Sequence, residues 1–182
     1  MAYYTVTGIM KRGLPVLLVA AIISITAGQL LHAGQDLLLA YPVLLILIPP
    51  LIKVGGDTGS ILGARLSSAF HLGLVEPAGG VVVRNNIIAC LVIGCVSCLV
   101  LSVTVWAAAI LLSIDVVYGL LLKITVIAGC IEMVVVFAAT IIIAFVSHRH
   151  GLDPDDVVIP LITAIGDIVG IVAVFIAAWV VV

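Results

Sequence analysis

Three carboxylic acids in this chain, Asp57, Glu132 and Asp167, lie deep inside long apolar runs. An ionised carboxylate in hydrocarbon costs several kcal/mol unless it is paired, hydrated or holding a cation. Two of the three share a setting. The octet PLIKVGGD runs from Pro50 to Asp57 and PLITAIGD from Pro160 to Asp167, with Pro, Leu, Ile, Gly and Asp at the same places. Carboxylates among backbone carbonyls, with no His or Cys beside them, make a hard-oxygen site that suits Mg²⁺, Ca²⁺ or Mn²⁺ rather than zinc or copper. Mg²⁺ gives up its water reluctantly. A permeating Mg²⁺ would therefore touch such acids through water, and few of them would suffice.

The remaining polar residues are placed for plainer roles. Lys53 stands one turn before Asp57, so an internal Lys53–Asp57 ion pair is the structural alternative to a cation site. Asp167 has Thr163 at the matching position and no such partner, which makes it the better cation holder. Glu132 could be a supporting group, a proton carrier or a partner for Lys123. Asp36 and Asp115 fall at span ends, where water is available, and Asp153, Asp155 and Asp156 suit the capped start of a helix. His71, His148 and His150 fall at one membrane edge and His32 near the other, all away from the midplane. Cys90, Cys95, Cys98 and Cys130 sit in apolar runs without flanking ligands and read as buried small hydrophobes.

The elements that position these acids are set by composition. Of 182 residues 65% are hydrophobic and 9% charged, with a mean hydropathy of +1.50. Lipid must be the solvent for most of such a surface. No basic cluster points to nucleic acid. A span needs about 20 apolar residues, and five segments qualify: about 14–31, 42–70, 86–112, 117–147 and 157–181. Lys11 and Arg12 precede the first run in signal-peptide order, but the rest of the chain is equally apolar, so that run is a span. The connections are short, and residues 1–182 read as one all-α membrane domain. Placing the N-terminus in the cytoplasm puts Lys11, Arg12, Arg65, Arg84 and Arg149 at cytoplasmic ends and leaves the outer loops without Lys or Arg.

On this topology both octet aspartates fall near mid-membrane, Asp57 about 20 Å from either end of its span. Pro49 and Pro50 each remove a helical hydrogen bond, and Gly55, Gly56, Gly59 and Gly63 follow. Irregular backbone and close-approach glycines at this depth belong where they line a cavity or pack on protein. Pro160 could be a first-turn residue, and Gly166 and Gly170 flank Asp167. The octets run in opposite directions through the membrane. Inverted repeats around a midplane site are a transporter signature.

The stretch LIPPLIKVGGDTGSILGARLSSAFHLG resembles the second membrane helix of the MgtE family of magnesium channels and their eukaryotic solute-carrier relatives. There a proline precedes Gly-Gly-Asn or Lys-Gly-Asn, and an Arg-Leu-Ser-like stretch follows. DPDDVVIPLITAIGDIVGI is similar to the family's fifth helix. The resemblance implies a five-span membrane domain, a homodimer whose pore is lined by helices two and five, and Asp167 as the aspartate that holds hydrated Mg²⁺. Asp57 departs from the family's Asn and adds negative charge. Nothing in this sequence matches the soluble sensing and CBS domains of bacterial members, so gating by them is not expected of it.

The expectation is therefore a multi-pass protein of the plasma membrane, not an enzyme. It would carry a divalent cation, Mg²⁺ first, past Asp167, Asp57 and Glu132, with Pro50, Gly55, Gly56, Gly59, Gly63, Pro160, Gly166 and Gly170 shaping the pore backbone. Two other readings compete. An intramembrane aspartyl protease would pair two aspartates, but its Gly-x-Gly-Asp pattern is missing: Val54 and Ala164 stand three residues before Asp57 and Asp167. The other is a non-transporting assembly subunit.

Overall fold

The computed structural model describes residues 5–74 and 80–182. All regular structure among them is helical: α1 (Val6–Ala33), α2 (Gln35–Ala40), α3 (Val43–His71), α4 (Val81–Leu111), α5 (Tyr118–Arg149) and α6 (Pro154–Val181). Five of these, all but α2, are long and apolar enough to cross a membrane. They coincide with the five segments legible in the sequence, although α1 and α4 start several residues earlier. The connection between α1 and α3 contains the short helix α2. Part of the α3–α4 connection, residues 75–79, lies outside the described residues.

The helix ends follow ordinary capping rules. Thr5 caps α1 by accepting from the Gly8 amide. Asp153 caps α6 by accepting from the Asp155 amide at 3.1 Å, with Pro154 taking the first-turn position. Beyond α3 and α5 the chain turns at Gly73 (φ 66°) and Gly151 (φ 70°), in the left-handed region that glycine enters without a Cβ penalty. Two sequence expectations are corrected here. Pro160 lies inside α6 rather than in its first turn, and α3 passes through Pro49–Pro50 as one continuous helix. The space that the missing hydrogen bonds would leave is thus not a break in the helix.

Helix α6 is central, packing on α5, α3 and α1, while α3 also packs on α4 and α5. Helix α1 leans on α6 and buries little of itself. Side chains pack in two apolar clusters stacked along the bundle. The outer cluster includes Leu44, Leu47, Leu51, Leu121, Ile124 and Ile171. The inner one includes Leu62, Leu66, Val136, Phe137, Val158 and Ile162. Three buried threonine hydroxyls are satisfied within their own helices: Thr58 donates to the Val54 carbonyl at 2.7 Å, Thr125 to Leu121 at 2.8 Å and Thr140 to Val136 at 2.8 Å. Ser60 Oγ, by contrast, is buried without a partner among the described residues. Two cysteines depart from expectation, since Cys95 and Cys130 are exposed while Cys90 and Cys98 are buried. Both sit on helix faces that the bundle leaves open to lipid, where a thiol is tolerated as a small hydrophobe.

Glycines on α3 set how closely the helices approach. A Cβ on Gly59 would lie 2.4 Å from Val136 Cγ1 and 2.7 Å from Ile162 Cγ2. Both are methyls of stiff β-branched residues that cannot swing aside. A Cβ on Gly56 would meet its nearest atom, Thr163 Cα, at 3.6 Å, an ordinary contact. Gly59→Ala should therefore cost about 1–3 kcal/mol through overpacking, whereas Gly56→Ala should cost little. Thermal unfolding of the two variants in detergent checks this, and equal losses would contradict the packing described.

Candidate functional site

The seam between the two apolar clusters is where the acids lie. Asp57 is the middle residue of α3, and Asp167 and Glu132 are likewise near the middles of α6 and α5. At 1.5 Å per residue, each acid is about 20 Å or more from its helix ends. Each acid is thus near the middle of its helix, as the sequence placed the two octet aspartates.

The two octets meet at this level. Gly56 and Gly166 occupy the same octet position, and they face each other: a Cβ on Gly166 would stand 3.2 Å from Gly56 Cα and 3.3 Å from its nitrogen. The backbones of α3 and α6 thus cross through equivalent glycines. An antiparallel pair crossing at equivalent residues has a local pseudo-two-fold axis, the arrangement that inverted repeats produce.

Glu132 enters the crossing from α5. It is fully buried, at 0% exposure, and neither carboxyl oxygen has a hydrogen-bond partner. Glycines make its cavity. A Cβ on Gly55 would fall on the carboxyl group, and one on Gly170 would come within 2.9 Å of Oε1. Gly166 bounds the third side, at 3.9 Å from Oε1 by the same construction. Gly55, Gly166 and Gly170, three glycines named for the pore backbone, therefore cradle the acid. Lys123, considered as its partner, does not reach it.

Asp167 is half-buried on α6, within reach of the Ser24 hydroxyl of α1 and in the field of the Lys53 ammonium of α3. Ser24 is a contact that sequence reasoning missed; a lone serine in an apolar helix gave no signal that it faced another span. Lys53 is also reassigned. No ion pair joins Lys53 to Asp57 or to Asp167 among the described residues, although its charge is felt at Asp167.

Asp57 lies on the open side of α3. Leu45, Pro49, Lys53, Asp57, Ile61 and Arg65 recur every four residues and are all exposed. Pro50, predicted to shape the path, is half-buried beside this stripe, whereas Gly63 faces inward, where a Cβ would lie 2.5 Å from Val158 Cγ1. A row holding an acid at mid-membrane with a lysine one turn away is unsuited to lipid. Within one chain Asp57, Asp167 and Glu132 do not converge: no three His, Cys, Asp or Glu among the described residues are grouped closely enough to hold a metal ion. The single chain presents its acids on an open face and in one internal cradle.

Five helices long and apolar enough to cross a membrane thus carry two inverted octets that meet near mid-helix, with the acids at that level. The chain matches the MgtE family, divalent cation transporters, over residues 48–177, from the first third of α3 to the last turns of α6. It belongs to that family, as a multi-pass membrane protein of a family that moves divalent cations. No curated protein and no solved structure matches the chain. Helix α1 lies outside the matched region.

An acid buried without a partner is a poor way to stabilise a bundle. Replacing such a group by an apolar residue of similar volume is commonly neutral or stabilising by about 1–4 kcal/mol. Glu132→Met should therefore unfold at the same temperature as the wild type or higher, while divalent cation flux falls. A large loss of stability would mean that the carboxyl has a structural partner. Unchanged flux would remove it from the transport path.

Proposed function

We propose that the protein moves Mg²⁺ across the plasma membrane, along a path lined by α3 and α6 of a homodimer. The observation that carries this reading is the open face on which Asp57 and Asp167 are presented: a polar stripe at mid-membrane beside a half-buried acid, in a family of divalent cation transporters. Asp167 is the principal cation holder. It is accessible, carries a full charge when ionised and is oriented by Ser24. Hydrated Mg²⁺ suits a carboxylate that is not part of a closed cage, because this ion keeps most of its water. Lys53 offsets part of the negative charge while the path is empty and can swing away when a cation arrives, being a compact charge on a flexible stem. Asp57 adds charge to the same face, and Glu132 adds a carboxyl behind it.

The homodimer follows from the same face. The bundle leaves Asp57 exposed and Asp167 half-buried, and a second copy related by two-fold symmetry would enclose them. Closed symmetry also gives each acid a counterpart across the path, so that a hydrated ion is held from two sides.

Asp167→Asn keeps the volume and removes one charge per subunit. A charge interaction lost at about 4–8 Å in a medium of effective dielectric near 20 is worth roughly 2–4 kcal/mol, which is tenfold or more in affinity. Mg²⁺ uptake into liposomes and Mg²⁺ binding should both fall by that factor, with a smaller loss for Asp57→Asn. Wild-type behaviour of Asp167→Asn would overturn the assignment of the ion site. The assembly has its own check. Light scattering in detergent should give about twice the 18.8 kDa chain mass, and a strictly monomeric protein that still transports would refute the dimer.

A further inference from the structure

One arginine near a membrane edge, at the end of the exposed α3 row, is held by a hydrogen bond to a neighbouring helix. Arg65 of α3 donates from Nε to Asn86 Oδ1 of α4 at 2.6 Å, across a groove of about 390 Å³ between the two helices. Asn86 is itself largely buried, at 9% exposure, so its side chain is fixed by packing and fixes the guanidinium in turn. No other hydrogen bond or ion pair holds Arg65 among the described residues. Its terminal nitrogens are left without a partner among the described residues, and both Arg65 and Asn86, whose amide nitrogen is a further donor, line the groove. Ser68 Oγ, which donates to the Ala64 carbonyl at 3.0 Å, offers an acceptor on the same wall. The rest of the lining is apolar: Ala69, Leu72, Leu74 and Val82.

Depth and chemistry select the ligand. Arg65 is six residues before the end of α3 and Asn86 five after the start of α4, about 8–9 Å along each helix. The headgroup layer is about 5–8 Å thick on each side of the hydrocarbon, so a guanidinium there lies at the level of lipid phosphates. A guanidinium fork matches two phosphate oxygens with charge-assisted hydrogen bonds. Lys11, Arg12, Arg84 and Arg149 belong to the same basic edge, which the Lys and Arg asymmetry assigns to the anionic cytoplasmic leaflet.

We propose that the α3–α4 groove binds the headgroup of an anionic phospholipid, with Arg65 and Asn86 on its phosphate, Ser68 accepting from a hydroxylated headgroup such as glycerol, and Ala69, Leu72 and Val82 against the start of its acyl chains. Such a lipid would clamp the end of α3 to α4. Arg65 is the last member of the exposed α3 row, about two turns beyond Asp57 toward the membrane edge, and the test of this lipid site does not depend on transport.

Native mass spectrometry of the purified protein with phosphatidylglycerol or phosphatidylcholine tests it, with Arg84→Gln as the control. Arg84 is exposed near the same edge but does not line the groove. The wild type and Arg84→Gln should each retain about one phosphatidylglycerol per chain in preference to phosphatidylcholine, and Arg65→Gln should weaken this by roughly tenfold, as expected for losing a charge-assisted pair. If Arg65→Gln does not fold, Arg65→Lys serves, since it keeps the charge, loses the fork and should still bind several-fold more weakly. Equal losses for Arg65→Gln and Arg84→Gln would show general surface attraction and overturn the site. So would no preference for phosphatidylglycerol in the wild type, or wild-type retention by Arg65→Lys. Displacement of the lipid by millimolar inorganic phosphate alone would identify a free-anion site instead.

Discussion

The arrangement of this bundle follows from one constraint: a carboxyl group in a low-dielectric interior must be given room, since it has been given no partner. Glu132 is fully buried with both oxygens unsatisfied. A side chain of that size can enter the α3–α6 crossing only where neighbouring residues lack a Cβ, and Gly55, Gly166 and Gly170 are those residues. Restoring any one of them as alanine would place a carbon on, or tight against, the acid or its neighbours. The glycines that read as generic close-packing signals therefore have a specific tenant. The same absence of side chains lets the α3 and α6 backbones meet at Gly56 and Gly166, and a near contact of two main chains brings both octet aspartates to one depth.

The division of the apolar core into two clusters is a consequence. Above and below the crossing, leucine, isoleucine and valine fill the space between helices in the ordinary way. At the crossing they are replaced by glycines and an acid, and the helices are held there by close backbone approach.

The fold was legible because hydropathy in a membrane chain is nearly a direct record of topology. Hydrocarbon forces every span to be a complete helix, and five apolar segments became five helices. The octets were legible as motifs, and their opposite directions followed from counting spans. What the sequence could not supply was facing. Lys53 is one turn from Asp57, which made that pair the natural local reading, but i to i+4 spacing does not say toward which neighbouring helix a flexible ammonium leans. Ser24 carries no sequence signal at all. The effect of Pro49–Pro50 was over-read for a related reason: a proline removes a hydrogen bond, yet helix α3 stays continuous within its packed neighbours. Cys95 and Cys130 were expected to be buried, and periodicity in a helix that is apolar all round cannot distinguish a lipid-facing position from a core one.

That ambiguity does not extend to α3, where the open face carries charge. Lipid accepts Leu45 and Ile61 on that stripe but rejects Asp57 and Lys53 at mid-depth, and four-residue spacing keeps all of them on one line. Either water or protein must cover the line. Helix α1 does not, since it rests on α6 and leaves the stripe exposed. A second subunit meeting the first along this line would cover the apolar members with its own and leave the charged ones facing a common axis, so the same residues that make the single chain unsuited to lipid would become the wall of a hydrated path.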